Sequence, residues 1–107
     1  MKKFICPVCK KNTQIALYPD HSSSGMWCNN CGVGFGDPIE SFPEIPKDLV
    51  YAIDGWNSYW SFYYTYRKDL YGFKYFKQNF IAMGKILAKE LEKYYPCVKK
   101  VDRYFWS

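Results

Sequence analysis

The chain has 107 residues, 49% of them hydrophobic and 21% aromatic, with a formal net charge of +5. That length suits one small domain and excludes a polymerase- or helicase-sized catalytic body. The apolar run after Met1-Lys2-Lys3 stops at Cys6-Pro7, too short for a secretory leader, and Tyr59 to Tyr66 is too short for a membrane span, so a reducing cytoplasm, by default a bacterial or viral-host one, is the expected compartment.

The first element is Cys6-Pro7-Val8-Cys9, and its counterpart Cys28-Asn29-Asn30-Cys31 follows after eighteen residues. Each pair sets two sulfurs on one tight turn, and two such turns close a tetrahedron around a single Zn²⁺. Two disulfides or four unliganded thiols are the alternatives. With all four ligands supplied by the protein, such a zinc has no open position and is structural. Four thiolates and one Zn²⁺ add −2, which lowers the charge of the metal-bound form to about +3.

Between the pairs, Thr13 to Tyr18 suits a strand, Pro19 to Gly25 is loaded with turn formers, and Met26-Trp27 leads into the second pair. Gly32, Gly34 and Gly36 give a permissive backbone beneath the sulfurs. They lack the spacing of a phosphate loop. Pro38, Pro43 and Pro46 mark an extended connector, so residues 1–46 read as a zinc ribbon built on a β-hairpin with its connector.

From residue 47 the period becomes helical. Leu49, Ile53, Trp56, Trp60 and Tyr63 or Tyr64 recur at three and four residues, which predicts a helix over 47–67. Tyr71-Gly72 supplies a break. Phe73, Phe76, Phe80, Met83, Leu87, Leu91 and Tyr94 then form one stripe, ended by Pro96, with Lys74, Lys77, Lys85, Lys89 and Lys93 opposite. Antiparallel packing of the two helices would bury an aromatic core on the ribbon. The fold class is α+β: a four-cysteine ribbon, then an aromatic-rich, basic helical hairpin over 47–107. The segment 98–106 alternates enough for a short strand or a docking segment.

Cys6-Pro7-Val8-Cys9, Cys28-Asn29-Asn30-Cys31-Gly32 and Ala52-Ile53-Asp54-Gly55-Trp56-Asn57 together resemble the restriction-alleviation (Lar) family of small phage zinc ribbons, patterned Cys-Pro-x-Cys, Cys-x-x-Cys-Gly, Ala-Ile-x-x-Trp-Asn. The resemblance covers Cys6 to Asn57. Lys10 stands where the family has glycine, and the connector is longer. It implies a phage-encoded modulator of a host restriction system, with Trp56 packed against the ribbon and Asn57 bonded to its backbone. The ribbon with Gly36-Asp37 is also similar to the zinc-binding module of phage primase-helicases, which implies single-strand binding.

Catalysis finds little support in the residue pattern. His21 lies in a serine-rich turn and reads as solvated, and Cys97, after Pro96, reads as a packed thiol outside the metal set. The aromatic excess points to binding. Tyr59, Tyr63, Tyr64, Tyr66 and Tyr71 suit a protein interface, and beside Arg67, Lys68, Lys74, Lys77, Lys85, Lys89 and Lys93 they also suit stacking on unpaired bases. A host protein is the expected partner, nucleic acid the second reading, and a second copy of the chain a further candidate.

Overall fold

The structure is a computed structural model that describes residues 3–20, 23–67 and 73–99, with the side chains of 63–67, 73, 98 and 99 outside the description. Strand β1 (Phe4–Ile5) pairs antiparallel with β2 (Asn12–Thr13), and β3 (Ile15–Leu17) pairs antiparallel with β4 (Met26–Cys28). The strand expected over Thr13 to Tyr18 is thus divided between two sheets at Gln14, whose carbonyl accepts the Asn29 N–H at 2.9 Å. After the second cysteine pair the chain folds back along β4, where the Phe35 N–H reaches the Met26 carbonyl at 3.0 Å.

Inside the proline-rich connector stands a single helical turn, α1 (Pro38–Ser41), where an extended chain was expected. Its cause is local. Asp37 Oδ1 accepts the Glu40 N–H at 3.3 Å, and Pro38 occupies the first helical position, where its missing N–H costs nothing. The turn delivers Phe42 and Ile45 to the interior. There Phe4, Phe35, Phe42 and Tyr95 form a four-ring cluster, with Phe35 and Phe42 centroids 5.1 Å apart and Phe42 and Tyr95 5.3 Å apart. Part of the aromatic excess is therefore core.

Helix α2 (Lys47–Arg67) buries Val50, Ile53, Asn57 and Trp60 on one side, a three-and-four spacing that lays one stripe against the rest of the molecule. Helix α3 (Phe73–Leu91) buries Phe76, Phe80, Leu87 and Leu91. Met83, expected within that stripe, is 52% exposed. The buried line runs through Gly84 instead, one position and about 100° further round the helix. Trp56 stacks on Phe80 with centroids 4.5 Å apart, and Tyr59 lies 5.2 Å from Phe76, so the two helices are antiparallel neighbours.

After α3 the chain turns through Pro96 and enters β5 (Cys97–Lys99), which pairs parallel with β3 and completes a sheet of order β4-β3-β5. The Ile15 N–H bonds the Pro96 carbonyl at 2.8 Å. The region after the connector thus contributes a strand to the ribbon's own sheet, at the start of the segment whose alternation suited a short strand. Residues 100–106 of the expected tail segment lie outside the described residues. No described helix is long and apolar enough to cross a membrane.

Candidate metal centre

The four sulfurs of Cys6, Cys9, Cys28 and Cys31 all lie within 4.8 Å of one another. Cys6 and Cys31 sulfurs are 3.7 Å apart, and those of Cys9 and Cys28 are 3.9 Å apart. A regular tetrahedron with metal–sulfur bonds of about 2.3 Å has edges of about 3.8 Å, whereas a disulfide would bring two sulfurs to about 2.05 Å. The spacing fits one shared cation and neither disulfide. Cys6 and Cys28 are buried, Cys9 is half-buried and Cys31 is exposed, so the site sits at the ribbon's surface with its back to the core.

Two knuckles of the same construction build this cage. In the first, the Lys10 N–H bonds the Cys6 carbonyl at 2.9 Å and the Cys6 N–H bonds the Lys11 carbonyl at 3.1 Å. In the second, the Gly32 N–H bonds the Cys28 carbonyl at 2.9 Å and the Cys28 N–H bonds the Val33 carbonyl at 2.9 Å. The fifth residue of each turn takes the left-handed conformation, φ +80 at Gly32 and φ 61 at Lys10. Lys10 therefore adopts the geometry that Gly32 has in the second knuckle, at a steric cost glycine avoids.

Backbone amides point at the inner sulfurs in matching pairs. Val8 and Cys9 N–H groups face Cys6 Sγ at 3.4 and 3.5 Å, and Asn30 and Cys31 N–H groups face Cys28 Sγ at 3.4 Å each. The Asn30 side-chain amide crosses between the knuckles and donates to Cys9 Sγ at 3.4 Å. This contact, with help from the Lys11 backbone, draws the Cys9 thiol down to about 6. At Cys31 the Val33 amide pulls downward, but loss of water and the three neighbouring sulfurs outweigh it and hold the thiol up at about 11. Four thiols this close resist full ionisation, and a divalent cation among them removes that conflict. Asn30 was legible only as a polar residue inside the second pair.

Cys97 does not join the four. Ile15 pairs with both Cys28 and Cys97 on its two sides, so two strand spacings, about 10 Å, separate their backbones. Its side chain is buried.

Asn57 ties α2 to the ribbon. Buried to 2% exposure, it donates from Nδ2 to the Ser23 carbonyl at 2.7 Å and accepts the Asp20 N–H on Oδ1 at 2.8 Å. Gly25, with φ +84, lets this helix approach, since a Cβ there would stand 3.2 Å from Asn57 Cβ. Trp56 is buried in the core cluster that also holds the ribbon's apolar residues; it stacks on Phe80, and its Nε1–H donates to the Phe80 carbonyl at 3.0 Å. Its hydrogen bond and ring stack are made to α3, and its position is rotated about 100° from that of Asn57.

Of the expected contact residues, Tyr59 is 57% exposed, Lys74, Lys85, Lys89 and Lys93 are exposed, and Lys77 is half-buried. Lys93 bonds Glu90 at 2.8 Å. Tyr63, Tyr64, Tyr66 and Arg67 lie on α2 with side chains outside the description, and Lys68, Tyr71 and His21 fall outside the described residues. Comparisons of the chain with protein-family models, with curated proteins and with solved structures gave no match.

Proposed function

We propose that this chain is a zinc-ribbon binding protein of the Lar-like type, whose single zinc is structural and which acts by protein contact on a host restriction-type system in the bacterial cytoplasm. The observation that carries the reading is the four-sulfur cage, with edges of 3.7 and 3.9 Å. Four protein thiolates fill the coordination of zinc, leaving no place for water or substrate, so the metal holds a shape and the function falls to surfaces. Asn57, the last residue of the Lar-like pattern, bridges helix and ribbon, which gives that pattern a physical reason. Exposed Ile5, Val8 and Tyr59 supply apolar anchors of the kind protein interfaces use.

Exposed Lys74, Lys85 and Lys89 along α3 favour nucleic acid as the second reading. Affinity capture from bacterial lysate, with and without nuclease, tests both. A protein retained after nuclease, and insensitive to moderate salt, supports the proposal. Retention that nuclease abolishes, with steep loss of oligonucleotide binding as salt rises, refutes it in favour of the second reading.

A further inference from the structure

The α2–α3 hairpin has two sides, and only one faces the ribbon. Along the outer side of α2 stand Tyr51 (61% exposed) and Phe62 (52%), and along that of α3 stand Tyr75 (65%), Met83 (52%) and Ile86 (62%). Between the helices runs a groove of about 580 Å³, lined by Ala52, Gly55, Tyr59, Asn79 and Met83 among others and by no charged side chain. Among the described residues, no atom beyond its chain neighbours and its own helix backbone stands within 4 Å of where a Gly55 Cβ would be.

We infer that the occupant of this face is a second copy of the same chain, docked about a twofold axis parallel to the helices to form an antiparallel four-helix arrangement. The argument is one of level. Trp56 faces Phe80 and Tyr59 faces Phe76, so positions of α2 and α3 whose numbers sum to about 136 lie at one height. An axis along the helices preserves height while it sets α2 of one copy over α3 of the other. Tyr51 then meets Ile86 of the other copy, Phe62 meets Tyr75, and Met83 meets the hollow at Ala52 and Gly55. Every large apolar side chain on the outer stripe of α3 thus finds an apolar or vacant counterpart, which is the self-complementarity an isologous interface needs.

Charge agrees with the same pairing. Asp54 lies on the edge of α2 away from α3, beside the α1 turn and level with position 82, about one turn from Lys85 on the far edge of α3, and both are exposed. In the twofold arrangement each Asp54 comes beside the other copy's Lys85, at both rims. The area is sufficient as well. Tyr59 and the five side chains above, each half or more exposed, offer roughly 600 Å² per copy, so about 1,200 Å² in total, which reaches the lower bound for a stable interface.

Sedimentation velocity on the zinc-loaded full chain, from micromolar to submillimolar concentration, tests this. A concentration-dependent dimer is expected. Met83→Glu with Ile86→Glu should raise its dissociation constant at least about a hundredfold, because each dimer would bury unpaired carboxylates. Both side chains are half exposed in one copy, so zinc content and far-ultraviolet circular dichroism should not change. Asp54→Lys should weaken the dimer and Lys85→Glu in the same chain should restore it. A monomer at every concentration overturns the inference, and so does a dimer indifferent to the double glutamate, which would use another face. A dimer whose Asp54→Lys loss is not restored by Lys85→Glu overturns the paired arrangement. None of these results depends on capture of a host protein, so the two proposals fail separately.

Discussion

Replacing Asn57 by alanine should loosen the joint between α2 and the ribbon without emptying the metal site. The side chain is 2% exposed and makes two short bonds, 2.7 Å to the Ser23 carbonyl and 2.8 Å from the Asp20 N–H. Truncation leaves both backbone groups partly buried with no partner, and such a group costs about 1–3 kcal/mol each. Partial access of water to the β3–β4 loop reduces the sum, so a loss of about 2–4 kcal/mol is expected, a large share of the stability of a small domain. Asn57→Asp separates the two bonds. Its carboxylate keeps the acceptor for Asp20 but turns repulsive toward the Ser23 carbonyl, so it should fall between wild type and alanine. Urea unfolding followed by circular dichroism measures the loss, zinc stoichiometry reports the metal site, and faster hydrogen exchange at the Asp20 amide locates the damage. A change below about 0.5 kcal/mol, or an unaltered Asp20 amide, would show that the bridge carries no weight.

Metal removal should act on the other half of the molecule: chelation, or Cys28→Ser, is expected to unfold β1 to β4, since small zinc sites supply about 10–16 kcal/mol of folding free energy, and a ribbon spectrum unchanged on chelation would contradict the metal reading. Lys10→Gly should stabilise the zinc-loaded protein by about 0.5–1 kcal/mol, the left-handed penalty relieved minus glycine's added freedom when unfolded, and a urea midpoint that falls would mean that Lys10 is unstrained. Tyr95, desolvated and bonded to Glu44, has its hydroxyl pushed up to about 12. The folded state therefore holds that proton more tightly: the contribution is complete below pH about 10, is lost between about 10 and about 12, and should vanish from the difference curve between wild type and Tyr95→Phe. Identical alkaline slopes for the two proteins would disprove this.

The sequence was most legible where a spacing had one physical meaning. Paired cysteines two residues apart have few uses, and the three-and-four recurrence after Pro46 marked α2 and α3 to within a few residues. Legibility failed where neighbours decided the outcome. Three prolines argued for an extended connector, yet the Asp37 cap and Pro38 at the first helical position close one turn there, which carries Phe42 into the four-ring cluster. Met83 looked like core because leucine-like residues recur around it. Gly84, with no side chain to register in any apolar count, holds the buried position at that level of the helix. Trp56 and Asn57 are adjacent in sequence but address different neighbours, a distinction that requires knowing what lies on each side of the helix. The partner of β5 was beyond reach for a similar reason, since three residues of alternation do not say which strand they will join.

That partnership has a consequence for how the chain reaches its native state. Ile15 pairs with Cys97, eighty-two positions later, so the sheet that carries Cys28 has one of its most distant contacts in the molecule. During synthesis both knuckles emerge early and can capture metal while β3 still shows an open flank of hydrogen-bonding groups. That flank invites pairing with any extended peptide until the helices have been made and β5 arrives to cover it. Closing so long a loop is slow compared with forming either helix. Maturation should therefore run in two stages, an early metal-locked nucleus and a late strand insertion, with the interval between them as the period of greatest exposure to aggregation.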